Sequence, residues 1–125
     1  YRIAPSAVGV DGVSMGGARA MWLGLSHPEI FATIGSLQGA FRRDIPRFRE
    51  LITRHRGTLS QRRIQLVTSD GDGLAPAVRQ LHRVLDEASI DHRFDVLEGP
   101  HDYIFNRGPG VLAMLIFHEA ALSRP

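Results

Sequence analysis

The chain has 125 residues, of which 43% are hydrophobic and 22% charged, with a formal net charge of +2. That is enough for one domain with a sizeable core, and the mix is that of an ordinary globular protein rather than a disordered one. No apolar run approaches the ~18 residues of a membrane span, and the lack of cysteine removes disulfides, thiolate catalysis and cysteine-based zinc sites without identifying a compartment.

All fifteen basic residues are arginine, so the high isoelectric point reflects absent lysine more than a large excess of positive charge. No nucleic-acid or membrane partner is expected. The stretch containing Arg42, Arg43, Arg47, Arg49, Arg54, Arg56, Arg62 and Arg63, opposed only by Asp44 and Glu50, reads as a solvated face or as contacts within the fold.

Ala7 to Val13 is small, apolar and partly β-branched and runs into glycine, which predicts a buried strand feeding a sharp turn. A helix follows Ser14, with Ala18, Met21, Trp22 and Leu25 at helical spacing. It ends at His27-Pro28, because the residue before proline is pushed out of the helical region. Phe31 to Leu37 and Ile64 to Thr68 read as further buried strands, with an amphipathic helix over Pro46 to Arg56 between them. From Pro76, the pattern Val78, Leu81, Leu85, Ala88 predicts another helix, and Phe94 to Leu97 a fourth strand ending at Gly99-Pro100. Val111 to Leu122 is a mostly apolar closing helix. Strands alternating with helices at this spacing imply an α/β fold with a parallel sheet of about four strands, covered by helices on both faces.

Ligands in such sheets sit beyond the C-terminal ends of the strands, and Ser14, Asp70, Asp72 and His101 all follow predicted strand ends. Gly12-Val13-Ser14-Met15-Gly16 matches G-x-S-x-G, the pattern by which a strand-to-helix elbow exposes a nucleophilic serine. The match could arise by chance, and its place between a strand and a helix, with Gly17 allowing close packing, gives it weight. A serine hydroxyl is a poor nucleophile without a base in hydrogen-bond reach and a third group to orient that base. His101 is the candidate base, since it alone among six histidines follows a late strand in a Gly-Pro-flanked loop. His27 suits a helix end, His82 and His118 lie in helices, and His55 and His92 read as exposed.

The orienting acid is Asp72, with Asp70 as the alternative in the same turn. Asp72 is favoured because it stands later in the loop, where a carboxylate can reach across to His101, although Asp-Gly is also ordinary turn chemistry. Asp102 adjoins His101 and suits a local cap better than a triad. Asp70, Asp72, His101 and Asp102 have no recognisable metal-ligand spacing, so no metal is assigned to them. A serine triad calls for no cofactor.

Taken together, GVSMGG, TSDGDG and GPHDYIFNRGPG resemble the esterase family of α/β-hydrolases that includes esterase D-like enzymes, feruloyl esterases and mycolyltransferases. The resemblance covers nearly the whole chain. It implies a Ser14 nucleophile, a His101 base and an acid at Asp72, with a small-molecule ester as substrate. The backbone N–H of Met15 would be one oxyanion donor, and Gln38, Tyr103 and Phe105 are candidates for substrate contact.

In that family the strands after the elbow strand are added in order toward one sheet edge, so residues 1–125 correspond to the C-terminal part of a single α/β-hydrolase domain. The first strand would then be an open apolar edge, inviting self-association. The second oxyanion donor would come from an earlier loop, and losing one donor typically costs about 10²- to 10³-fold in turnover. Acyl transfer to an alcohol on the same triad is the alternative reaction. A non-catalytic interaction domain on a hydrolase scaffold is the alternative of a different class.

Overall fold

The alternating apolar segments fold into four parallel strands connected through helices in the computed structural model, which describes residue 4 and residues 7–123. Strands β1 (Gly9–Val10), β2 (Thr33–Leu37), β3 (Arg63–Gly71) and β4 (Arg93–Pro100) lie side by side in chain order. Every neighbouring pair is parallel, registered by Val10 opposite Ile34, Leu37 opposite Val67, and Val67 opposite Asp95. The helices are α1 (Met15–Ser26), α2 (Ile45–Arg54), α3 (Arg56–Leu59), α4 (Ala75–Glu87), α5 (Tyr103–Phe105) and α6 (Val111–Leu122). A π-type turn, Asn106–Gly110, joins α5 to α6.

Alternation along the strands sends side chains to two cores. Ile34, Ile64 and Leu66 meet Met21, Leu25, Phe48, Leu81 and Leu85 from α1, α2 and α4 on one face. Leu37 and Val67 meet Phe105 and Met114 on the other. Each fully buried side chain of this size contributes about 1.5–3 kcal/mol relative to exposure, which holds both helical layers to the sheet. The first-turn prolines Pro46 and Pro76 open α2 and α4 without losing an intrahelical bond. The helix α1 stops at Ser26 with His27 as its cap, as the following proline requires.

The expected elements are present with adjusted ends. The first strand is shorter than Ala7 to Val13 and, with Gly9 exposed and Val10 half-buried, is not the buried strand expected, because it lies at the sheet edge; Val13 returns to the sheet through an isolated bridge to Leu37. Asp11 interrupts the ladder by turning toward His118, whose Nε2 is 2.9 Å from its carboxylate. The loop expected between His101 and Gly110 contains α5 and the π-type turn. His55 is half-buried rather than exposed, as the cap shared by α2 and α3.

The arginine-rich stretch divides between solvent and internal contacts. Arg49 pairs with Glu87 and Arg54 with Glu50, each at 2.6 Å on the surface, while Arg62 donates to the Pro28 carbonyl. Two apolar surfaces have no cover among the described residues. One is the outer edge of β1, which pairs only with β2, and the other is the face of α6 carrying Leu112, Leu115 and Ile116, each more than half exposed. No helix among the described residues is long and apolar enough to cross a membrane.

Candidate active site

The glycines around Ser14 dictate how tightly the chain turns. A Cβ on Gly12 would run into the backbone of Gly16, and one on Gly17 would lie 2.6 Å from Ser36 Oγ and 2.9 Å from the Gly12 carbonyl. The chain therefore doubles back against β2 in a space only glycine fits. Ser14 occupies the apex at φ 56°, ψ −116°, a conformation that costs a non-glycine residue about 1–3 kcal/mol and persists only when the surroundings enforce it. They do so through three bonds. Its N–H donates to the Leu37 carbonyl at 2.9 Å, and its own carbonyl accepts from Ala18 N at 3.1 Å and Ala40 N at 3.0 Å. Met15, next in the chain, opens α1, where first-turn N–H groups have no intrahelical acceptor. Met15 is 68% exposed.

At the end of β3, the turn closed by Asp72 N to the Ser69 carbonyl swings Asp72 inward, and the residue is only 4% exposed. A buried carboxylate needs donors on its lone pairs. Asp72 has three. Thr68 Oγ1 donates to Oδ2 at 2.8 Å, Leu74 N to Oδ1 at 2.9 Å, and His101 Nδ1 to Oδ1 at 2.7 Å. Because the carboxylate only accepts, the proton between them belongs to Nδ1, and Nε2 of the neutral ring is left as an acceptor. The His101 side chain is about a quarter exposed, so this second nitrogen is open to the rim.

Asp70 has a different task. It is exposed, and its Oδ1 accepts from Gly99 N at 2.9 Å, closing the irregular β3–β4 pairing between Ser69 and Gly71. Asp102 accepts from Phe105 N at 2.8 Å and caps α5, the local role expected for it.

The rim is laced together by Gln38, which also has a positive φ of 49°. Its Nε2 donates to Ser69 Oγ at 2.7 Å and to the Pro100 carbonyl at 3.1 Å, and its backbone N–H donates to the Val67 carbonyl. The residue after the strand that holds Ser14 is thus tied to the residue before His101. Gln38 is fully buried, so it fastens strand ends and presents no surface to a ligand. Phe105, also considered for substrate contact, is 3% exposed and packs in the second core beneath Gly99 and Gly110, so it too has no surface facing the rim. Tyr103 is exposed, with its hydroxyl accepting from Arg107 at 2.6 Å. His101 makes one side-chain hydrogen bond among the described residues, to Asp72, and none to Ser14.

A cavity of about 510 Å³ opens beside Met15, between the first turns of α1 and α2, with Arg19, Trp22, Arg47 and Phe48 on its walls. In the sequence Trp22 carries the signature of ordinary helix packing and Arg47 that of a solvated arginine face, so neither pattern marks a cavity. Thr68 reads in the sequence only as a strand end and Leu74 as part of a turn; the threonine four residues before a candidate acid is the signal that marks the first of them.

One further ionisable pair lies behind the turn. Asp11 is held below the ordinary carboxylate value, first by the hydrogen bond from His118, opposed by partial burial and assisted by the histidine's charge. His118 Nδ1 lies 2.7 Å from Thr33 Oγ1, so the pair stitches α6 to β2 and to the approach to Ser14.

Neither a protein-family model nor a curated protein matches this sequence. Solved structures do match its fold. A ferulic acid esterase superposes with a TM-score of 0.81 at 17% identity, covering 95% of this chain and 53% of its own. An S-formylglutathione hydrolase from Staphylococcus aureus gives 0.79 at 16% identity, with 94% and 54% covered. An enterochelin esterase from Shigella flexneri gives 0.76 at 24% identity, with 99% and 33% covered. The chain spans about half the length of the first two and a third of the last. Its four parallel strands and flanking helices are a partial α/β-hydrolase fold of the kind these esterases share.

Proposed function

We propose that this chain carries the nucleophile, base and acid of a serine hydrolase acting on carboxylic esters, within the C-terminal part of one α/β-hydrolase domain. The observation that carries the reading is the buried Asp72 carboxylate 2.7 Å from His101 Nδ1, on the same strand-end rim as a serine held at positive φ. The esterase fold of the structural neighbours supports it.

In the proposed reaction His101 Nε2 takes the Ser14 proton as Oγ attacks the ester carbonyl, and Asp72 stabilises the imidazolium that forms. The Met15 N–H donates to the oxyanion. Collapse of the tetrahedral intermediate breaks the ester C–O bond, His101 returns the proton to the departing alcohol, and an acyl-Ser14 remains. Water, deprotonated by His101, then releases the acid and restores the serine. The Met15 cavity and exposed Tyr103 are the surfaces available to the two halves of the ester.

The chain covers 53% and 54% of the first two neighbours, and in this reading the second oxyanion donor comes from a further segment of the hydrolase domain. That segment would also cover the β1 edge. Hydrolysis of a nitrophenyl ester by the naturally expressed protein tests the reading. Activity lost in both Ser14→Ala and His101→Ala is the expected result, and activity retained in either refutes it.

A further inference from the structure

The N-terminal ends of the strands carry a second polar cluster, at the opposite end of the sheet from Ser14 and His101. It joins His82 and Asp86, one turn apart on α4, to His92 on the connection into β4. Sequence patterning leaves His92 exposed. In the fold its side chain is 2% exposed, drawn inward because Nδ1 lies 2.8 Å from the Ile90 carbonyl. A carbonyl only accepts, so Nδ1 carries the proton and Nε2 of the neutral ring presents a bare lone pair. Fixing one ring nitrogen on a backbone carbonyl in this way is how metal-binding histidines are commonly oriented.

Two potential ligands, His82 and Asp86, lie close to that lone pair. His92 Nε2 is 2.7 Å from His82 Nδ1 and 4.0 Å from Asp86 Oδ1, and His82 Nε2 is 3.4 Å from Asp86 Oδ2. One ligand atom from each residue lies within 4.8 Å of the others. The His82 ring is stacked on Phe94, with centroids 4.2 Å apart and planes 15° from parallel, so its orientation is also fixed.

A hydrogen bond from His82 Nδ1 to His92 Nε2 would satisfy the two rings by themselves. It would then leave His82 Nε2, in its neutral form, as an acceptor aimed at the Asp86 carboxylate, another acceptor. A divalent cation resolves the conflict by taking lone pairs from all three residues. Two imidazoles and one carboxylate suit zinc and its neighbours, whereas calcium and magnesium prefer all-oxygen shells.

The geometry points to a site for one zinc-class divalent ion held by His82, Asp86 and His92, with water completing the tetrahedron. Its effect would be to pin the C-terminal half of α4 to the start of β4. The site shares no residue with the proposed ester chemistry and does not rest on it.

Calorimetric titration of chelator-treated protein with zinc chloride tests this, with the thermal midpoint followed in parallel. One zinc per chain is expected, with a raised midpoint. Affinity should fall at least about 10-fold in His82→Ala and in Asp86→Asn and remain unchanged in Ser14→Ala. Asp86 is 60% exposed, so its asparagine variant keeps the test decisive if a histidine variant folds poorly. Absence of zinc binding overturns the proposal, as does binding as tight as the parent's in both cluster variants.

Discussion

Asp72 and His101 stand 29 residues apart in the chain and 2.7 Å apart in space, joined through Nδ1 of the ring and Oδ1 of the carboxylate. Their meeting depends on register. Gly71 pairs with Pro100 at the ends of β3 and β4, so the residues immediately following the pair emerge on the same side of the rim. Thr68 and Leu74 then complete the carboxylate's shell, so its position is fixed from three sides.

Asp72→Asn should lower ester hydrolysis by up to about 10⁴-fold, since the amide no longer enforces the required histidine tautomer. Asp70→Asn should leave turnover near that of the parent, because Asp70 bonds the Gly99 backbone and not the imidazole. Steady-state kinetics on both variants separate the two aspartates, and a crippled Asp70→Asn beside an active Asp72→Asn would reverse the assignment.

Thr68→Val removes one donor from a buried carboxylate while nearly preserving side-chain shape. A hydrogen bond to a charged group contributes about 1.5–3 kcal/mol, so denaturant unfolding should register a loss of that order. Thr68→Ser, which keeps the hydroxyl, should recover most of it.

The two glycines after Ser14 should respond in opposite directions. Gly17→Ala forces a methyl against Ser36 Oγ and the Gly12 carbonyl and should cost about 1–3 kcal/mol. Gly16→Ala meets nothing within 4 Å in the first turns of α1 and should stabilise by about 0.5–1 kcal/mol. Thermal melts of the two variants supply the comparison.

The Asp11–His118 contact makes stability depend on pH. A carboxyl depressed in the folded state contributes stability above its unfolded value of about 3.9, and the contribution is lost as pH falls through the lower folded value. Asp11→Asn should therefore be less stable than the parent near neutrality, by under about 1 kcal/mol because the pair is partly solvated. The difference should close in strong acid. Urea midpoints measured across pH follow it.

Expressed alone, residues 1–125 should self-associate through the β1 edge and the α6 face. Replacing Leu112, Leu115 and Ile116 together with glutamate should shift the chain toward monomer in light-scattering chromatography. A monomeric parent would contradict this.

Much of this architecture is legible in the residues because its cues are local. The apolar runs before Gly12, Gln38, Asp70 and Gly99 mark the strands, and Pro28, Pro46 and Pro76 punctuate the helices. The order Ser14, Asp72, His101 is visible for the same reason, as each follows a strand end. Burial is harder to read where tertiary contact overrides polarity. Gln38 looks like a rim residue and is enclosed because three strand ends converge on its amide, and His92 looks exposed and is drawn in by the Ile90 carbonyl. Phe105 reads as a loop aromatic, yet the chain between α5 and α6 folds it under Gly99.

In the proposed reaction Ser14 is an activated nucleophile. Labelling the naturally expressed protein with a fluorophosphonate and locating the adduct by peptide mass spectrometry tests it most directly. One adduct on Ser14 is expected, lost in Ser14→Ala and strongly slowed in His101→Ala. An unmodified Ser14 in folded protein, or an adduct on another serine, would contradict it.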